Sequence, residues 1–235
     1  MYDRGDGVYI LCECRKSKQI MRRIRSSMVD RNFTDATFYN YKPEKHTFEM
    51  YATAKDYTEN FETIRHERQN GIGFMAVVGE SIIRQTPDTV RRAALRDKHN
   101  SYGLGKTHLL AVIALTLLRR SVQVLMVNDT DIVAELRQGQ FADDTDRFEN
   151  VIQGLENAEL LIWDDLGKAK TTEWVLNQYY RVINFRYRKG LPTCFSTNED
   201  RDTLAERIGD ATASRLFAMC RGRLVLCEGP DYRLR

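Results

Sequence analysis

The run SYGLGKTHLL, residues 101–110, restricts the fold more than any other stretch of the chain. Closely spaced glycines lead into a lysine and a threonine. An apolar segment of helical length then ends in the cations Arg119 and Arg120. This order describes a tight loop that opens directly into a helix. Backbone N–H groups can curl around an oxyanion only where glycine allows the chain to turn. A lysine can then reach the outer phosphates, and a hydroxyl can meet a magnesium ion. Gly103, Gly105, Lys106 and Thr107 supply these groups. Ser101, Tyr102 and Leu104 fill the loop between them, and His108 follows in the first turn. The helix starts at Lys106, so its positive end faces the phosphates. The chemistry is that of a site for ATP or GTP with Mg2+.

The match to G-x-x-x-x-G-K-[ST] departs at one position, because Asn100 stands where the first glycine is required. Removing residues 80–100 joins Gly79 to Ser101 and restores an uninterrupted FMAVVGSYGLGKTHLL. Residues 80–100 therefore read as an insertion within the loop. Pro87 followed by DTVRRAALRDKH predicts a turn and one short amphipathic helix outside the fold. Two geometries remain open. Either Gly79 and Ser101 stay neighbours while the insert bulges out, or Asn100 takes the glycine's place, since asparagine tolerates positive φ.

From about residue 70 onward, apolar strands alternate with helices. IGFMAVVG, VQVLMVN, ELLIWDDLG and PTCFSTN have strand character. DTDIVAELRQ opens on capping aspartates, and TTEWVLNQYYRVINFRYRKG is a long helix closed by Gly190. The last part reads as helix, short helix and a final strand. The pattern predicts an α/β fold with a mainly parallel sheet covered on both faces. In LLIWDD, four apolar residues run into two carboxylates. Asp164 suits a magnesium ligand and Asp165 a group that orients or deprotonates an attacking water. Asn198, at the tip of the next strand, could hold that water.

Composition narrows the class. A chain of 235 residues that is 42% hydrophobic can bury one full α/β core with extensions. Its longest apolar run, LLAVIALTLL, is too short to span a bilayer, so no membrane segment is expected. MYDRGDGVYI lacks the pattern of a secretory signal, and the five cysteines are expected to be reduced in a cytoplasmic setting. A formal charge of +3 does not by itself require a polyanionic partner.

GKTHLL, the segment from LLIWDDLG to CFSTN, IGDATASRLF and GPDYRLR together resemble the AAA+ ATPase domain of the DnaC/DnaI bacterial helicase loaders, relatives of the transposition ATPase IstB. The resemblance implies a P-loop AAA+ core in which a five-stranded parallel sheet lies between helices, without a separate lid domain. It implies Walker A roles for Lys106 and Thr107, Walker B roles for Asp164 and Asp165, and a sensor role for Asn198. Arg215 becomes an arginine finger acting on a neighbouring subunit, which entails self-assembly. The implied partners are a replicative DNA helicase and single-stranded DNA. The implied division is an N-terminal segment, 1–50, and an ATPase domain, 51–235, interrupted at 80–100. Residues 1–50 resemble the end of a zinc-type extension with its basic helix and linker. Cys12 and Cys14 lack the second cysteine pair that a tetrahedral site needs, so zinc is not expected, and His46 reads as a structural histidine.

For nucleic acid, the helix NQYYRVINFRYRK offers Tyr179, Tyr180, Arg181, Arg186, Tyr187 and Arg188. The spacing of Tyr180, Ile183 and Tyr187 instead predicts core packing for these aromatics, with Arg181 and Arg188 exposed. Three functional readings follow: a helicase-loader ATPase, an IstB-like transposition ATPase, or a nucleotide-binding remnant whose interrupted loop no longer hydrolyses ATP.

Overall fold

A computed structural model describes residues 2–3, 9–10, 27–141 and 145–234. Cys12 and Cys14, and with them the zinc expectation, lie outside the described residues. Tyr2–Asp3 and Tyr9–Ile10 form a small antiparallel pair. The remaining strands make one parallel sheet: β1 (Ile72–Ala76), β2 (Val124–Asn128), β3 (Leu160–Asp164), β4 (Thr193–Ser196) and β5 (Leu224–Cys227). Their spatial order is β2-β3-β4-β1-β5. The strand between β1 and β3 is thus β4, which ends at Ser196, two residues before Asn198. That placement determines where the site forms.

One face of the sheet is covered by α1 (Phe48–Glu59) and α5 (Lys106–Arg119), the other by α6 (Asp129–Phe141), α7 (Thr145–Asn157), α8 (Glu173–Lys189), α9 (Arg201–Ile208) and α10 (Asp210–Met219). Helix α2 (Phe61–Ile64) leads toward β1. Helix α5 is buried almost all round, with Leu109, Leu110, Ile113, Leu117 and Leu118 in the core. It lies between the sheet and α1, which explains why it is apolar on every face. Among the described residues no helix is long and apolar enough to cross a membrane.

Residues 80–100, expected as an insertion with one helix, fold as two, α3 (Glu80–Gln85) and α4 (Thr89–Lys98). Helix α3 is tied down: Ser81 and Ile83 are buried, and the Ser81 Oγ donates to Glu199 Oε1 at 2.7 Å. Helix α4, capped by the Asp88 carboxylate on the Arg91 N–H, buries none of its residues.

Three other expectations are corrected. Asn128, not an aspartate, caps α6, accepting from the Thr130 N–H at 3.1 Å. Asp129 is buried and accepts from Trp163 Nε1, the Tyr179 hydroxyl and the Ala169 N–H at 2.8–2.9 Å, so it ties α6 to β3 and α8. On α8 the core face is Val175, Tyr179, Val182, Ile183 and Arg186, while Tyr180 and Tyr187 are 42% and 41% exposed. Arg186 is fully buried and donates to the carbonyls of Leu155, Glu156, Ala158 and Pro192 and to Thr193 Oγ1. A guanidinium enclosed by that many acceptors is a structural post and cannot reach nucleic acid.

Candidate nucleotide site

Gly103 and Gly105 both have positive φ, 64° and 85°, and the loop turns into α5 at Lys106. Only glycine adopts these angles without strain. Both glycines are also needed for space. A side chain on Gly105 would run into the Tyr41 ring, and one on Gly103 would collide with the Asp231 carboxylate. The loop is further held by the Tyr41 hydroxyl, which donates to Leu104 O at 3.0 Å, and by Tyr232 N–H, which donates to Gly103 O at 3.0 Å. His108 meets Tyr41 edge to face, with ring centres 5.4 Å apart.

The two ends of the insertion converge on Asn198. Glu80 N–H donates to Asn198 O at 2.9 Å, and Ser101 Oγ donates to Asn198 Oδ1 at 3.2 Å. Gly79 is buried and its N–H donates to Asp200 Oδ2 at 2.8 Å, with φ −64°. Asn100 is not left-handed. Its Nδ2 donates to Tyr102 O and Gly229 O, and its own carbonyl accepts from Gly229 N–H at 2.9 Å. Both flanks of residues 80–100 therefore meet at Asn198, α3 stays packed beside them and α4 alone buries nothing, and Asn100 acts as an anchor instead of replacing a glycine turn.

Lys106 is 6% exposed, and its Nζ lies 2.6 Å from Asn198 Oδ1 and 2.7 Å from Ser101 O. Burial lowers its pKa, while the nearby Asp165 and Asp164 carboxylates act in the opposite direction. Thr107 Oγ1 sits 2.9 Å from Asp164 Oδ2, and Ser196 Oγ donates to Asp164 Oδ1 at 2.5 Å. Burial raises the Asp164 pKa, the adjacent Asp165 adds to this, and the two hydroxyls oppose it. Asp165 itself takes φ 54°. Its N–H donates to Ser196 Oγ at 3.0 Å, and its carboxylate is paired with Lys168 Nζ at 2.7 Å and faces Asn198 Nδ2 at 3.4 Å. The salt link raises the Lys168 pKa.

Lys106, Thr107, Asp164, Asp165 and Asn198 are thus brought together at the ends of β3 and β4 and the start of α5. Arg215 is not among them. It lies on α10, donating to Ala211 O at 2.7 Å, with its guanidinium 5.1 Å from the Tyr180 ring centre. Sequence reasoning missed Ser196, Lys168, Tyr41 and Asp231. A hydroxyl two residues before Asn198, on the same strand face, and a cation three residues after Asp165 were the available signals; Tyr41 and Asp231 offered none.

The donor set fits a magnesium nucleotide. Among the described residues no cluster of three or more His, Cys, Asp or Glu could hold a metal alone. One hydroxyl and one carboxylate beside a phosphate loop is what a magnesium ion carried on phosphates requires.

Fold and loop define a P-loop ATP-binding protein of the AAA+ type. The chain belongs to the IstB-like ATP binding protein family, whose model matches residues 99–234. It is 28% identical to YqaM of Bacillus subtilis over 95% of this chain and 64% of that protein. It is 27% identical to the phage-like element PBSX protein XkdC of the same organism over 98% and 79%. The replicative helicase loader DnaI of B. subtilis is 31% identical over 45% of this chain and 33% of its own length. The chain therefore spans less than two thirds of the length of YqaM. The crystal structure of the DnaC helicase loader superposes with a TM-score of 0.63 at 18% identity, over 85% of this chain and all of that one. The replication initiator DnaA bound to AMPPCP and single-stranded DNA gives 0.62 at 17%, over 86% and 52%. The parallel five-stranded AAA+ sheet is common to them.

Proposed function

We propose that this chain is a cytoplasmic ATPase that serves DNA replication in the manner of a helicase loader, acting with a replicative helicase and single-stranded DNA. The observation that carries the ATPase part is the joining of Lys106, Asn198, Thr107 and Asp164 in one hydrogen-bonded group at the phosphate loop. Lys106 would hold the outer phosphates, with Gly79, Ser101 to Gly105 and His108 bordering them. Thr107 and Asp164 would hold magnesium, which when bound neutralises charge on the phosphates. Asn198 and Asp165 would position the attacking water and take its proton. Arg215, on α10 and outside this hydrogen-bonded group, would act on a neighbouring copy's nucleotide. The insertion supports retained activity rather than a remnant, because both its ends return to Asn198 and leave Ser101 to Thr107 continuous.

Lys106→Ala should remove uptake of a fluorescent ATP analogue. Uptake equal to the native chain would overturn the site. An IstB-like role in transposition is the second reading, favoured by the family model over residues 99–234. Stimulation of ATP turnover by a replicative helicase, compared with stimulation by a transposase, separates the two.

A further inference from the structure

A cavity of about 1240 Å3 opens between the segment 65–69 ahead of β1, the end of α8, the outer faces of α9 and α10 and the turn ahead of β5. It shares no lining residue with the phosphate loop. Six lining side chains are Arg or Lys and three are acidic, and one of the acids, Glu67, is already held by Arg223 at 3.2 Å. Arg68, Arg188 and Arg221 are exposed and form no ion pair among the described residues. Tyr187, expected in the core, exposes its side chain here. Arg201 lies over the Phe217 ring at 4.9 Å in the same wall.

We propose that this cleft binds single-stranded nucleic acid, with Arg68, Arg188 and Arg221 on successive phosphates and Tyr187 stacking against a base. The space exceeds what a mononucleotide fills, since small-molecule pockets run to roughly 1,000 Å3. The free cations come from three separate segments instead of converging on one point, which suits a repeating polyanion. The exposed ring favours a single strand, because duplex bases keep their faces stacked on one another. The surface is concave, and its cations outnumber its acids even with Arg65 paired to Glu62 and Glu159, which leaves a net positive wall. The choice of nucleic acid over other polyanions rests on the replication reading above; the cleft itself does not.

The test uses the full chain and a fluorescein-labelled oligothymidylate of about 30 nucleotides, long enough for a groove of this class, followed by anisotropy between about 50 and 200 mM salt. The combined Arg68→Gln, Arg188→Gln, Arg221→Gln variant should bind at least ~10-fold more weakly. Its slope of log K against log salt should shrink by about 2, at roughly 0.7 for each lost phosphate contact. Tyr187→Ala should weaken binding without changing the slope. Arg91→Gln, Arg92→Gln, Arg96→Gln on the equally cationic but convex α4 should leave both unchanged. Native affinity in the cleft variant, or an equal loss in the α4 variant, overturns the assignment. A duplex of the same length that binds as tightly overturns the single-strand part. Uptake of the ATP analogue is read in the same samples. A chain that takes up ATP but no oligonucleotide loses the cleft and keeps the ATP site. One that binds the oligonucleotide through the cleft but never takes up ATP loses the ATP reading and keeps the cleft.

Discussion

Lys106 and Asn198 meet end to end, the ammonium 2.6 Å from the amide oxygen, although 92 residues separate them in the chain. The lysine comes from the loop after the insertion and the asparagine from the tip of β4. In this state Asn198 holds the lysine with its oxygen and faces Asp165 with its nitrogen. One amide therefore couples the Lys106 ammonium to the Asp165 carboxylate.

That coupling makes Asp165→Asn an informative change. Asparagine tolerates the left-handed φ of 54° at this position, so the backbone should be preserved. ATP affinity should stay within about threefold. Turnover should fall by roughly 10²–10⁴, the usual contribution of a positioned base. Equilibrium binding measured beside steady-state phosphate release checks both halves. Loss of the exposed Lys168 pair should scarcely affect stability.

Asp164→Asn should stabilise the nucleotide-free protein at neutral pH while abolishing its magnesium-dependent ATP binding. The Asp164 pKa is raised mainly by burial, so the folded chain holds this proton more tightly than the unfolded chain does. Its favourable contribution is complete below the ordinary aspartate pKa of 3.8 and is lost as pH rises through the raised folded value. The amide stays neutral throughout. The variant's melting midpoint should therefore exceed the native one at pH 7. The advantage should vanish near the ordinary aspartate pKa, which thermal melts from there to neutrality would read.

Replacing residues 88–98 with a glycine-serine linker should leave both stability and ATP uptake unchanged, since α4 buries nothing. The expected change is within about 0.5 kcal/mol. Ser81→Ala, in the other helix of the insertion, should cost about 1–3 kcal/mol. It deprives the buried Glu199 carboxylate of its 2.7 Å hydroxyl bond. Urea titration of the two variants side by side distinguishes a removable arm from an integrated one.

Arg186→Met should destabilise the fold by about 3 kcal/mol, because it strands several buried carbonyls at the ends of α7 and β4. Oligonucleotide affinity at a temperature where the variant stays folded should be native, unlike that of the cleft variants.

The phosphate loop, the paired carboxylates and the strand-helix alternation were legible in the sequence because their chemistry demands particular residue types at short range. Which of the adjacent Tyr179 and Tyr180 faces inward was not legible. The hydropathy pattern of α8 fits two rotations of the helix, and the buried Asp129 that holds the Tyr179 hydroxyl lies 50 residues away. Arg186 stood among the candidate nucleic-acid contacts for the same reason, since its carbonyl acceptors are gathered only by the tertiary fold. The first helix of residues 80–100 was not legible, because Ser81 is held by Glu199, from beyond β4.

Strands β1 and β3 each pair with β4 and not with one another. A partly folded chain that has not yet received residues 193–198 thus lacks the strand that joins β1 to the rest of the sheet and the asparagine that meets Lys106, although α5 can already pack on β2 and β3. Such distant pairings form late, because a long loop must close before any contact compensates for its entropy. A ligand that touches all three segments can bind only the finished sheet, and by mass action it then holds that sheet shut. Release of nucleotide would loosen the centre of the molecule as well as vacate its rim, so occupancy and rigidity should rise and fall together.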